Sequence, residues 1–254
     1  MDLPNKKPDI VTQGSNSSKR IRPLFKVLST LIITIGVFLG SQIISLIGLL
    51  VFYNFNTSKM IASFGVGSVL GLSALAEILF GITAIFLINK NNLVLNLKRP
   101  SGKTLAEIVL AVIVIQIGSS LLTSWINSIF HFGIPRDNVV ITSFIKSHPN
   151  QLILIILFVV VIAPICEELL FRGFLFNSLI RQSGGVLTFW PAAIISGVIF
   201  GLAHLEPVEF IPLTLTGMYL SWLFYTRNRN ILTNIIAHGC INLTAVVAIV
   251  FTIK

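Results

Sequence analysis

From Val27 onward the chain is a succession of apolar stretches at 27–52, 61–88, 105–130, 151–180, 189–204, 210–225 and 231–252, joined by short polar connections. About 20 apolar residues in a helix cross the roughly 30 Å hydrocarbon core of a bilayer, and a helix satisfies its own backbone polar groups there. The expected fold is therefore all-α, a polytopic transmembrane helical bundle of about seven spans. The range is six to eight, because 210–225 is short and Pro207 and Pro212 flank its start, which suits a tilted or re-entrant piece. With 54% hydrophobic and 11% charged residues in 254, a soluble domain has no room. Residues 1–23, rich in Lys, Asn, Ser and Pro, read as a disordered basic cytoplasmic tail, and 24–254 as a single transmembrane domain. The stretch 27–52 is too long for a cleaved signal sequence and is expected to be a retained first span.

Loop charges set the expected orientation, because Lys and Arg stay on the cytoplasmic side during insertion. One side collects Lys6, Lys7, Lys19, Arg20, Arg22, Lys26, Lys90, Lys98, Arg99, Lys103, Arg181, Arg227 and Arg229, whereas the other holds Lys59, Arg136, Lys146 and Lys254. This predicts a multi-pass cell-membrane protein with a cytoplasmic N-terminus. The net charge of +9 is then mainly a topology signal with some attraction to anionic lipid. There is no basic domain for a nucleic-acid partner. Cys166 and Cys240 lie in apolar stretches and are expected to be packing residues.

Three polar clusters interrupt this pattern in the C-terminal half. Glu167, Glu168 and Arg172 follow Pro164 inside an apolar run. Charges there are costly and functional by default. On a helix Glu168 and Arg172, at i and i+4, share a face and pair, while Glu167 points roughly 100° away and stays free. Phe200 and His204 stand one turn apart near the end of the fifth stretch, and His238 and Asn242 one turn apart in the last. From the charged span ends, Glu167 lies roughly 21 Å deep, His204 roughly 22 Å, and His238 with Asn242 roughly 13 to 20 Å. One shared polar cavity is geometrically allowed. The neighbouring Gly173, Gly201 and Gly239 allow helices to approach closely around it. Glu77 is expected to be a pore-facing or helix-packing residue, with lining of the cavity as the lesser alternative, Glu107 an acid at a helix start, and His131 and His148 solvated loop residues.

In their order on successive membrane segments, Glu167-Glu168-x-x-x-Arg172, Phe200-x-x-x-His204 and His238-x-x-x-Asn242 resemble the CPBP family of intramembrane proteases. That family includes the type II CAAX prenyl endopeptidases and the bacterial Abi proteins, some of them linked to bacteriocin immunity. The resemblance covers about a third of the chain, in a core at about 150–250. It implies a membrane endopeptidase acting on a membrane-associated protein or peptide. Glu167 and His204 would activate water, His238 and Asn242 would serve the oxyanion, and Glu168, Arg172 and Phe200 would support them. A glutamate-type reaction with no cofactor is the favoured expectation. The alternative is zinc held by Glu167, His204 and His238, although HExxH is absent. A non-catalytic immunity or scaffold protein is the alternative function. The Lys-rich and Asn-rich character and the small size suggest a bacterial source.

Overall fold

The computed structural model describes residues 14–52, 66–133, 136–147, 149–182 and 187–253. Among these described residues eight helices follow in order: α1 (Gly14–Phe52), α2 (Val66–Lys90), α3 (Gly102–Phe130), α4 (Arg136–Ser147), α5 (152–182), α6 (Phe189–Ala203), α7 (Phe210–Thr226) and α8 (Ile231–Ile253). Each of the seven apolar stretches contributes a helix over its described residues. Among the described residues the one departure toward extended pairing is a parallel bridge between Asn96 and Asn230. The protein is an all-α multi-pass membrane bundle. Segments Pro23–Gly48, Gly102–Phe130, Leu152–Arg181 and Ile231–Phe251 are each long and apolar enough to cross a membrane. The α6–α7 pair is shorter, rising about 22 to 26 Å.

Two features differ from the sequence expectation. Helix α1 begins at Gly14, so the end of the stretch read as a disordered tail is helical; residues 1–13 lie outside the described residues, as do Lys59, His148 and Lys254. The connection after α3 also holds a helix, α4, rather than a plain loop. Its Ile141 and Ile145 share a face, and Ile145 packs with Ile155 and Ile249. Such an amphipathic helix suits the membrane interface. His131 ends α3 in the left-handed region at φ 54°, exposed, with its N–H on Asn127 O.

The core is centred on the second half of α5, where residues 170–179 are buried on every face. A helix apolar all round is stable only when enclosed. Here α1, α2, α6, α7 and α8 enclose it. Phe171 meets Phe200 edge-on at 5.1 Å between ring centroids, and Phe176 meets Phe224 edge-on at 6.2 Å. Helices α6 and α7 touch backbone to backbone: a Cβ at Gly201 would lie 2.8 Å from Phe210 O, and one at Gly217 2.9 Å from Gly197 Cα. Small residues are what permit that approach inside a membrane.

The basic connections gather at one end of the bundle. Asn96 N–H donates to Arg229 O at 2.9 Å, and Ile231 N–H returns a bond of 2.9 Å to Asn96 O. Asn230 Nδ2 donates to Lys98 O at 2.7 Å, and Arg181 Nη1 to Asn92 O at 3.2 Å. Glu107, expected to favour its helix dipole, instead pairs with Arg227.

Candidate active site

The site begins with a proline. Pro164 has no N–H, so a carbonyl one turn earlier in α5 loses its donor. The ladder widens into a π turn over Leu157–Ile162, with Ala163 N–H reaching back five residues to Phe158 O. In that register Val159 O is the acceptor Pro164 leaves unserved. Asn242 fills the gap, its Nδ2 donating to Val159 O at 2.9 Å. Helix α8 comes close enough because residue 239 is glycine: a Cβ there would sit 2.7 Å from Val160 O. A second π stretch, Leu169–Phe176, follows directly after Glu168. Glu167 and Glu168 thus occupy a short α-helical piece, Ala163–Glu168, between two π turns, an irregularity frequently found at functional sites.

Glu168 is fully buried and fully bonded. Its Oε1 accepts from Arg172 Nη1 at 2.7 Å and from His238 Nδ1 at 2.9 Å, while Oε2 accepts from Asn234 Nδ2 at 3.0 Å. Arg172, also fully buried, donates from Nη2 to Gly217 O at 3.0 Å, and its Cζ lies 4.6 Å from the Phe200 ring centre. The expected i, i+4 pair is present, and it ties α5 to α7 and α8. Asn234 is the residue that sequence reasoning missed. It also donates to Leu220 O at 2.7 Å. Its signal was its spacing, four residues before His238 and eight before Asn242, a polar stripe along one face of α8.

Both histidines are anchored through Nδ1. Facing a carboxylate held by an arginine, His238 Nδ1 carries the proton, which leaves Nε2 as the working nitrogen. His204 Nδ1 lies 2.8 Å from Phe200 O, so it too donates, and its Nε2 is likewise the open end. Helix α6 stops at His204 because Leu205 takes a left-handed φ of 53°. Phe200 meets both imidazoles, tilted against His204 at 4.8 Å between centroids and edge-on to His238 at 5.7 Å.

Glu167 stands apart from this network. Its side chain is 16% exposed, its Oε2 has no hydrogen-bond partner, and the same oxygen lies 3.8 Å from His238 Nε2. The Arg172 Nε and Asn234 Oδ1 atoms are also buried without a partner. Orphaned polar atoms in an apolar protein mark a place where polar matter must enter. The structure therefore brings Glu167, Glu168, Arg172, Phe200, His204, His238 and Asn242 around one locus, as the depths suggested. It does not bring Glu167, His204 and His238 into a ligand set. Among the described residues no three His, Cys, Asp or Glu side chains are grouped to hold a metal ion. No step below is routed through a metal.

Residues 149–244 match the family described as type II CAAX prenyl endopeptidase Rce1-like. That interval contains all three motifs, and the resemblance read from them is borne out over it. The chain is 31% identical over 119 residues, 46% of its length and 45% of the relative's, to "Putative membrane peptidase YdiL" of Bacillus subtilis (strain 168). It is 31% identical over 84 residues, 33% of its length and 43% of the relative's, to "UPF0177 protein YxdF" of Lactococcus lactis subsp. lactis (strain IL1403). The chain thus spans less than half the length of each of these relatives. No solved structure matches it.

Proposed function

We propose that this chain is an intramembrane endopeptidase that hydrolyses a peptide bond in a membrane-associated protein or peptide of a bacterial cell membrane. The observation that carries the reading is Glu167: an unpartnered carboxylate oxygen 3.8 Å from the open nitrogen of a histidine already fixed by a saturated neighbour. A carboxylate that stabilised the fold would be bonded, as Glu168 is.

In this reading Glu167 takes a proton from water as the water oxygen bonds to the scissile carbonyl carbon. The proton then passes to the amine nitrogen as the C–N bond breaks, and in this reading His204 Nε2 shares it on the way. One water is consumed and no other reactant is needed. Asn242 has one amide N–H committed to Val159 O, which leaves the second to donate to the oxyanion. His238 can add a donor only when its ring carries protons at both nitrogens, between the Glu167 and Glu168 carboxylates. Glu168, Arg172 and Phe200 hold these groups in place. The gathering of the basic connections at one end supports placing that end and the N-terminus in the cytoplasm.

The test compares membrane peptides, by mass spectrometry, in cells expressing the wild type or Glu167→Gln. Cleavage products should appear only with the wild type, at equal protein levels. Identical peptide profiles, with the wild-type phenotype retained by the variant, would overturn the reading in favour of a non-catalytic immunity or scaffold protein.

A further inference from the structure

Glu77 has no part in the scheme above, yet the packing of α2 brings it to the site. Gly81 sits against Cys166, where a Cβ would meet Sγ at 2.8 Å, and Gly173 against Ile88, where a Cβ would meet Cδ1 at 2.9 Å. The residue offset is the same in both contacts, so α2 and α5 run in the same direction, in step. Glu77, one turn before Gly81, stands at the level just ahead of Cys166 and Glu167. Both side chains lean toward the N-termini of their parallel helices, so an axial offset of about five residues, roughly 7 Å, remains between them, a gap that two glutamate side chains turned toward each other can span. The two carboxyls are close enough to interact electrostatically, and both act on the Cys166 thiol between the helices. Each has its Oε2 buried with no hydrogen-bond partner.

We infer that Glu77 is a positioning residue for the reaction: its carboxyl, in the acid form, donates a hydrogen bond to Glu167 and holds that carboxylate toward His238. A buried acid left without a partner is costly, and so is a general base free to rotate in its cavity. One hydrogen bond between the pair removes both costs. The other charged and titratable groups around Glu167 are accounted for: Arg172 is turned to Glu168, which is bonded also by His238 and Asn234, His204 Nδ1 is bonded to Phe200 O, His238 presents Nε2, and Cys166 is packed on Gly81. The effect on cleavage rests on the peptidase reading, whereas the hydrogen bond itself does not.

The experiment uses the full-length protein with Glu77→Gln, Glu77→Leu, Glu167→Gln and the double variant Glu77→Leu/Glu167→Gln. A glutamine amide can still donate, so Glu77→Gln should release the Glu167-dependent products within about twofold of the wild-type rate in isolated membranes, whereas Glu77→Leu should fall by about tenfold or more. The midpoints of thermal unfolding in detergent should be non-additive, the double variant shifting no further than the larger single shift. Additive shifts, wild-type cleavage by Glu77→Leu, or equal loss in the Gln and Leu variants would each overturn the inference. If wild-type membranes release no Glu167-dependent product, the peptidase reading fails, and the thermal cycle alone decides the hydrogen bond.

Discussion

Replacing Arg172 by methionine tests the energetic centre of the site. The guanidinium is fully buried, 2.7 Å from Glu168 Oε1 and 3.0 Å from Gly217 O, over the Phe200 ring. Methionine preserves much of the volume, so little of the effect comes from a cavity. What remains is an anionic Glu168 with only the neutral amide of Asn234 and the His238 imidazole to bond it, together with a stranded Gly217 carbonyl. Breaking one side of a buried pair costs about 3–5 kcal/mol. At roughly 2–4 °C per kcal/mol for a chain of this size, the unfolding midpoint in detergent should fall by about 10 °C. The second variant isolates the cause. In Arg172→Met/Glu168→Gln the stranded charge is gone, and the glutamine oxygen can still accept from Asn234 or His238, so most of the loss should be recovered. The assay is thermal unfolding followed by tryptophan fluorescence, with the wild type and both variants in one detergent. A double variant no more stable than Arg172→Met would show that the loss came from packing and refute the argument.

Asn242→Ala should cost about 1–3 kcal/mol, because Val159 O loses the donor that stands in for the missing Pro164 N–H. Adding Pro164→Ala restores a backbone donor, so the double variant should regain stability while cleavage stays impaired; absence of any thermal recovery would count against the proline account. Gly201→Ala would place a methyl 2.6 Å from Thr214 Oγ1 and 2.8 Å from Phe210 O, forcing α6 away from α7 at a cost of about 1–3 kcal/mol. Gly36→Ala, with nothing within 4 Å, should stay within about 0.5 kcal/mol in the same melting experiment, and equal melts for the two variants would contradict the close packing. Asn234→Leu should destabilise by about 1–3 kcal/mol, since Glu168 Oε2 and Leu220 O both lose their donor. A melt at the wild-type midpoint would remove Asn234 from the network.

The helices and the residues of the site were legible to different degrees. Spans such as 105–130 are readable because lipid imposes a single demand, an unbroken apolar run with internal hydrogen bonds, and that demand acts residue by residue. The Glu168–Arg172 pair was legible for a similar reason: both partners sit on one helix, and their spacing fixes the geometry. Helix α4 was missed because its few apolar side chains matter only against Ile155 and Ile249, which arrive from α5 and α8. Asn234 was overlooked because an amide in an apolar helix looks like a tolerated polar residue until Glu168 is seen beside it.

By itself, then, the sequence determined the all-α membrane bundle, the order of its helices and the residue types able to do hydrolytic chemistry, since each follows from local composition and from spacing along one helix. Only the tertiary structure decided how completely each of those groups is spent. Glu167 and Glu168 are adjacent and chemically identical, yet Glu168 is saturated by Arg172, Asn234 and His238 while Glu167 keeps an open oxygen. One residue step on a helix turns a side chain by about 100°, and here that turn gives Glu168 the Asn234 amide and the Nδ1 side of His238 from α8 while leaving Glu167 facing the Nε2 side of the same ring. The i, i+4 spacing to Arg172 already marks Glu168 as the paired acid, but the filling of its remaining acceptor sites cannot be read along the chain, because Asn234 and His238 lie 66 and 70 residues away.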